Sequence, residues 1–344
     1  MEPILLTHWR APGDIVCMTA CVRDLALNYP NRYEIHVAGS CQDLWENNPH
    51  VTKAWGPRLP RDIPRYRLSC VDSFATSDTS KMHYITAFHR DLEKQLAIEI
   101  PALYPKGDLY LSDPEGTVPP VEGRYWLVIA GGKADIPVKM WSAARFQQIV
   151  SILHEHDIRC VQAGATLPGH QHPVLSGVID LVGKTDFRGF LRLVYHADGV
   201  ICPPTFAMHA AAAFDKPCVV IAGGREPWWW AAYVDATQGH FGEQSQPVQV
   251  PHRYLHTIGQ LECCRLSGCW RTHIGPCEGK STETLCVSPV DDGHGQSIPT
   301  CLAQITVEQV IEAVLSYNGD GDLDSDCQQE SEEGHEPTQG YSRR

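Results

Sequence analysis

Apolar and polar positions along the chain fall into two successive cycles of short apolar runs and segments of helical period. Ile4–Thr7 is a compact apolar run, broken by Ala11-Pro12-Gly13-Asp14. Ile15, Met18, Cys21, Val22 and Leu25 then recur at helical spacing, so the opening reads strand, turn, helix. Tyr33–Ala38 predicts a second strand. Leu44-Trp45, stopped by Asn47-Asn48-Pro49, predicts a short helix before a strand near Val51. Asp62–Ser80 carries no legible period, and Tyr84–Leu96 predicts a helix. Residues 108–123, with Pro114, Pro119 and Pro120, read as an irregular linker. In the second cycle, strands are predicted at Tyr125–Ala130, Ile158–Ala163, Val178–Val182, Gly199–Cys202 and Cys218–Ala222. Helices are predicted at Ser142–His154, Asp186–His196 and Thr205–Phe214.

Such alternation in both halves predicts an α/β protein of two doubly wound, Rossmann-like domains. We place the first at 1–107 and the second at 124–303, the latter including a Cys-rich segment at 255–303. Ligands of such sheets bind beyond the carboxyl ends of the strands, here in the cleft between the halves. After Asp235 the pattern fails until Thr306–Ser316, an amphipathic helix with Thr306 as its N-cap, within a C-terminal segment at 304–317.

A length of 344 residues fits two domains, and 43% hydrophobic with 20% charged residues is ordinary globular composition. The formal net charge of −13 disfavours nonspecific nucleic-acid binding. The opening Met1–Asp14 lacks a basic stretch followed by a long apolar one, and no run reaches the roughly 18 apolar residues of a membrane span. A cytoplasmic location without a transmembrane segment is the expectation. Residues 318–344 hold eight acids against two arginines and are expected to form a disordered acidic tail.

The 14 cysteines divide by position. Cys17, Cys21, Cys41, Cys70, Cys160, Cys202 and Cys218 lie in hydrophobic segments, where a thiol behaves as a small core group. Six more form the run Cys263-Cys264-x4-Cys269-x7-Cys277-x8-Cys286-x14-Cys301, and Cys327 falls in the tail. Four thiolates in a tetrahedron suit zinc or iron. The Gly- and Pro-rich surroundings could not build a core of their own, so a structural metal would supply folding energy. Cys264, Cys269, Cys286 and Cys301 are the expected ligands, with Cys263 the first replacement. Disulfides or free thiols are the alternative.

The segments ILLTHWRAPGDIVCMTACVRDL and YEIHVAGSCQDLWENNPHV resemble the N-terminal half of glycosyltransferase family 9, the ADP-heptose heptosyltransferases. LVIAGGKADIPVKMWSAARFQQIVSIL resembles the family's phosphate loop and Lys-x-Trp helix start. GKTDFRGFLRLVYHADGVICPPTFAMHAAAAFDKPCVVIAGG resembles its core for the sugar donor. The resemblance covers roughly residues 4–55 and 125–224. It implies a GT-B fold, an inverting transfer and a nucleotide-sugar donor, usually ADP-heptose. The acceptor would be a protein, glycan or small molecule held by the first domain near His83, His89 and Arg90; a homo-oligomer is left open. The Cys-rich segment also resembles that of the protein O-heptosyltransferases acting on autotransporter adhesins, which have a cysteine-held iron. Where the family has Asn-Asp-Thr-Gly-Pro-Met-His, this chain has Pro203-Pro204-Thr205-Phe206-Ala207-Met208-His209, exchanging an acid for Pro204 and a glycine for Phe206.

Each motif has a plainer reading beside the chemical one. Asp14, matching the family's catalytic Asp, is expected to be the general base; alone it would read as a helix cap. Gly131 and Gly132 would admit phosphate oxygens to backbone amides, or form an ordinary turn. Lys139 matches the family lysine on the diphosphate, and is otherwise a surface charge. Thr205, Phe206 and Ala207 would cradle phosphate at a helix start, with His209 one turn on as ligand contact or packing residue. Gly164 would border the nucleoside. Arg225 would neutralise diphosphate, and Trp228, Trp229 and Trp230 would stack on sugar or base, or plug the Cys-rich segment in place. The competing functions are a sugar-nucleotide epimerase or hydrolase on the same fold, and a non-catalytic metal-stabilised scaffold or redox sensor.

Overall fold

The structure is a computed structural model that describes residues 1–75, 77, 79–234, 248–276, 279 and 281–317. The expected tail at 318–344, with Cys327, and the cluster member Cys277 lie outside the described residues.

In the first half, β1 (Glu2–His8) leads into α1 (Pro12–Asn28), β2 (Tyr33–Gly39), β3 (Lys53–Trp55), β4 (Arg65–Arg67), α2 (Val71–Ala75) and α3 (Tyr84–Leu96). The strands form one parallel sheet in the order β3-β2-β1-β4. Pro12 suits the first turn of α1, where its missing N–H would be unpaired anyway. Residues Gly13 to Leu25 of that helix are all buried, so α1 is enclosed on every side. The edge strand β4 was not legible from residue pattern. It is three residues long and alternates exposed arginines with Tyr66.

The second half holds β5 (Trp126–Val128), β6 (Gly132–Lys133), α5 (Ala143–Glu155), β7 (Cys160–Gly164), β8 (His170–Gln171), β9 (Ile179–Val182) and α6 (Phe187–His196). It continues through β10 (Gly199–Cys202), α7 (Phe206–Ala213), β11 (Cys218–Gly223), α8 (Trp228–Ala231) and β12 (Arg253–His256). Six of its strands form a second parallel sheet, β12-β11-β10-β5-β7-β9. Strand β12 pairs with β11 beyond the point where the periodicity fails. The chain then forms a hairpin of β13 (Pro289–Asp291) and β14 (Ser297–Pro299), and ends in α9 (Thr300–Ala303) and α10 (Val307–Leu315). Thr306 caps α10 in a reciprocal capping box with Gln309, as expected.

One hydrophobic core runs from β1 and α1 through α3 to α6, α7 and Tyr233, spanning both halves. A second lies on the other face of the larger sheet, between α5, α9 and α10. Trp141 Nε1 donates to Leu302 O at 3.0 Å, and Arg145 Nη1 donates to Ala303 O and Ile305 O at 2.7 Å, which locks the C-terminal segment onto α5.

The proline-rich connection is more ordered than an irregular linker. Leu109 and Val121 are buried, and α4 (Asp113–Thr117) is capped by Ser112. Arg188 of α6 donates to both oxygens of Glu115 at 2.8 and 2.6 Å, and to Tyr110 O at 2.9 Å. Hydrogen bonding from Arg188 holds the Glu115 carboxyl down to about 2, against burial and helped by Ser112. A group with a depressed folded-state value stabilises above its ordinary value and loses that contribution as pH falls through the depressed one. We therefore expect Glu115→Gln to lower the melting temperature at neutral pH. Its deficit against the parent should close between about pH 4.5 and about pH 2. Melting curves of both proteins across that range check it.

Candidate active site

Asp14 stands in the first turn of α1 and is 7% exposed. The helix cap is Ala11, so the capping reading of Asp14 fails. Its carboxylate is held by side chains from two other elements. Tyr84 OH, from α3, donates to Oδ1 at 2.7 Å. His8 Nε2, at the end of β1, lies 3.3 Å from Oδ2. Burial pushes the Asp14 carboxyl up, but the bonds from His8 and Tyr84 and the charges of His8 and His209 outweigh it, leaving the group below its ordinary value.

The α1 N-terminus meets the start of α7 directly. A Cβ on Gly13 would lie 2.8 Å from His209 Cδ2, so only glycine permits this approach. His209 is buried, its Nδ1 is 2.7 Å from Tyr233 OH and 3.4 Å from Cys17 Sγ, and its ring stacks on Tyr84 at 6.1 Å between centroids. Burial lowers its pKa to about 4, so the ring is neutral near pH 7. It packs between the halves, beside the start of α7. Thr205 is the N-cap of α7, yet its Oγ1 is buried without a hydrogen-bond partner. A buried hydroxyl without a partner at a helix start suits an anion. Ala207 is buried, while the Phe206 ring packs on Phe187 and Phe190 of α6 at 5.0 and 5.6 Å. Phe206 can therefore offer a ligand only its backbone.

Lys139, in the turn at Pro137–Lys139, reaches across to this loop. Its Nζ donates to Pro204 O at 3.2 Å and pairs with Glu226 Oε1 at 2.6 Å. Arg225 contacts the same Glu226 oxygen, and its Nε donates to Arg271 O at 2.7 Å. Burial pushes the Glu226 carboxyl up, but the charges of Lys139 and Arg225 more than reverse it. Glu226 was not singled out in the sequence, because an acid beside an arginine gives no sign of a lysine 87 positions away.

Gly131, Gly132 and Gly164 form a neighbouring group with a different rationale. A Cβ on Gly131 would lie 2.1 Å from Gln171 O, and one on Gly164 would lie 2.0 Å from His172 Cε1. Both are glycine to admit the 170–172 segment, and His172 fills the space beside Gly164. Only Gly132 faces open space.

Trp228 and Trp230 have partners within the fold. Trp230 Nε1 donates to Ser73 Oγ at 3.0 Å, and its ring meets Tyr84 at 4.3 Å and Trp270 at 4.8 Å. Trp228 stacks on His256. Trp230 thus joins the Cys-rich segment to the first half, as the plug reading expects. The acceptor residues also need correction. His83 caps α3 and is fully buried, and His89 is buried with Nε2 2.8 Å from Asp24 Oδ2. Of the three, Arg90 alone is exposed.

In the Cys-rich segment, Cys263, Cys269, Cys286 and Cys301 line one cavity of about 20 Å³, together with Arg225 and Arg271. That is room for about one water-sized atom. Cys264 does not line it; its thiol donates to Thr257 O at 3.4 Å and Leu261 O at 3.5 Å. The ligand expectation thus shifts from Cys264 to Cys263. Burial and the neighbouring thiols push Cys263 up to about 11, and burial chiefly pushes Cys301 up to about 12. Among the described residues, no three Cys, His, Asp or Glu side chains are drawn together closely enough to hold an ion.

Residues 68–250, just over half of the chain, match the family model for glycosyltransferase family 9 (heptosyltransferase). No curated protein matches the sequence. The fold is similar to a family 9 glycosyl transferase from Veillonella parvula, at 14% identity over 93% of this chain and 97% of that one, TM-score 0.62. It is similar to TibC of enterotoxigenic E. coli, an iron-containing dodecameric glycosyltransferase, at 15% identity over 93% and 76%, TM-score 0.59; TibC is also solved with ADP-D-beta-D-heptose. A third likeness is to E. coli ADP-heptose LPS heptosyltransferase II, at 15% identity over 93% and 99%, TM-score 0.55. These likenesses identify a GT-B-like α/β fold. Among the described residues no helix is long and apolar enough to cross a membrane.

The contact at Gly13 is rigid, because Tyr84, Tyr233 and Cys17 enclose His209 on its other sides. Gly13→Ala should therefore cost about 1–3 kcal/mol through overpacking. A chemical denaturation curve measures the loss, and an unchanged midpoint would show that the two helices separate freely.

Proposed function

The chain belongs to glycosyltransferase family 9 and is a glycosyltransferase; from that premise we propose that it moves a heptose from ADP-heptose to an acceptor hydroxyl with inversion at the anomeric carbon. The acceptor hydroxyl, on a protein, glycan or small molecule, is held by the first half of the chain, residues 1–107. The second half, 124–303, holds the sugar donor. Asp14 takes the hydroxyl proton as its oxygen forms the new bond, and the bond from the anomeric carbon to the diphosphate breaks on the opposite face. Lys139, Arg225 and the amides at the start of α7, with the Thr205 hydroxyl, receive the charge that gathers on the leaving diphosphate.

The observation that carries this reading is the carboxylate of Asp14, fixed by Tyr84 and His8 beside the start of α7. A buried acid that stays ionised near neutral pH is what a base for this transfer requires. The donor identity rests on the family, and on TibC having been solved with ADP-D-beta-D-heptose.

The test compares Asp14→Asn with Lys139→Ala, using ADP-heptose against other nucleotide sugars. Asparagine keeps the bond from Tyr84 and can turn an N–H toward His8, so the fold should survive. Turnover should fall about 10²–10⁴-fold with sugar-donor affinity retained. Lys139→Ala should weaken sugar-donor binding about tenfold or more, since it removes a charge-assisted contact. Near-normal turnover in Asp14→Asn would rule out the base assignment. Sugar-donor cleavage without any transfer would favour a hydrolase.

We extend the reading to a structural metal, iron or zinc, held by Cys263, Cys269, Cys286 and Cys301. Its support is the donor chemistry of the four thiols, their common cavity and the two arginines beside it, whose charge would offset part of that of four thiolates around a divalent ion. The ion would tie together a segment with little apolar core of its own. Elemental analysis should find about one metal per chain, lost in Cys263→Ser and Cys269→Ser and kept in Cys264→Ser. The reverse pattern would restore Cys264 as the ligand, and metal-free folded protein would remove the site altogether.

A further inference from the structure

The bonds around Asp14 leave one proton to be placed. His8 Nδ1 lies 2.9 Å from Leu68 O. A carbonyl can only accept, so Nδ1 carries a hydrogen. On the other side of the ring, Nε2 lies 3.3 Å from Asp14 Oδ2. An ionised carboxylate can also only accept, so this contact needs a second proton between the two groups. The ring is 4% exposed and meets Phe88 edge-on at 5.0 Å, so it is held on three sides.

Near neutral pH the other groups facing the pair supply neither that proton nor a competing charge. From α3, Tyr84 OH gives its hydrogen to Oδ1. Burial pushes the thiols of Cys17, on α1, and Cys70, before α2, upward, the latter to about 12, so both stay neutral. His209, on α7, is neutral above about pH 4. Lys139 has its charge paired with Glu226. The cation in direct contact with Asp14 is therefore His8, and His209 adds a second charge only below about pH 4, equally in parent and His8 variants.

We propose that His8 is the positioning residue of Asp14: doubly protonated, it keeps the carboxylate ionised and fixes its rotation, leaving lone pairs for an incoming hydroxyl. This rests on the assignment of Asp14 as the base. The arrangement trades basicity for occupancy. A carboxylate beside a cation is a weaker base, but it remains ionised at lower pH, and its direction is set by two fixed donors. When Asp14 takes the acceptor proton, His8 keeps both of its own, and the neutral acid then releases the proton to water. Tyr84, a neutral donor, orients the other oxygen without contributing a charge.

The test needs neither acceptor nor turnover. Carbon-13 NMR of the full-length protein follows the Asp14 carboxyl carbon through an acid titration, with Asp14→Asn giving the assignment. The parent should titrate below the ordinary aspartate range. His8→Gln should move the midpoint up by about one pH unit, and His8→Lys, which restores a cation, should bring it back down. Equal midpoints in parent and His8→Gln would overturn the proposal, as would a lysine variant that behaves like glutamine. Should His8→Gln not fold, nitrogen-15 shifts of the parent decide the matter. Both His8 nitrogens should be protonated at a pH where Asp14 is ionised, and a bare Nε2 there would sink the idea. Transfer that proves independent of Asp14 would count against the proposed reaction and leave this result untouched.

Discussion

The rest of the site depends on how closely two helix starts approach. Gly13 lets α1 come against His209 of α7, and the contact joins the halves through side chains that are otherwise core. Tyr84 takes part twice, stacking on His209 while bonding Asp14. Any displacement of α7 relative to α1 must therefore disturb the orientation of the carboxylate. The deep burial of α1 makes the same point from the other side. A helix enclosed from Gly13 to Leu25 cannot rock on its strand to relieve a clash, so its N-terminus is a fixed reference for the cleft.

The Cys-rich segment acts on the same reference from outside the sheets. Cys269 N donates to Gly224 O, and Trp270 N donates to Arg225 O, so the segment lies along the stretch that carries Glu226. Trp270 Nε1 and Ser267 both reach Ser77 of the first half. Whatever holds the four cysteines together thus also sets Arg225 and Glu226, and through them Lys139. An insert with few apolar residues has a route to the site that does not pass through either hydrophobic core.

Much of this was legible along the chain where a segment is long and strongly periodic. The helix at Tyr84–Leu96, the alternation of β10, α7 and β11, and the cap at Thr306 fall where the pattern puts them. Strands β4 and β12 did not, because each lies at a sheet edge and owes its conformation to pairing with a neighbour rather than to alternation. The candidate site divides the same way. Asp14, Lys139 and Thr205 stand at element boundaries, which punctuation marks. His8, Tyr84 and Glu226 matter through partners brought together by folding, and nothing beside them in sequence announces it. Gly131 and Gly164 have a reason to be glycine that the sequence does not show. Glycine at a loop reads as room for a ligand, and here the side a Cβ would fill is taken by Gln171 O and His172.

The two charged clusters of the cleft are built on opposite terms. At Asp14 an acid is surrounded by groups that favour its ionised form, so a negative charge is maintained beside the start of α7. At Lys139 and Arg225 two cations share one buried acid, which leaves the group one positive charge in excess. A diphosphate entering beside Thr205 would meet that excess, and Lys139 could turn from Glu226 toward it without leaving Glu226 unpaired, because Arg225 remains. A buried carboxylate stripped of its last partner would cost several kcal/mol, so the second cation is what permits the first to move. Arg225 is thus more than a spare contact for the diphosphate. Anchored to Arg271 O and stacked near Trp270, it holds Glu226 with contacts of its own.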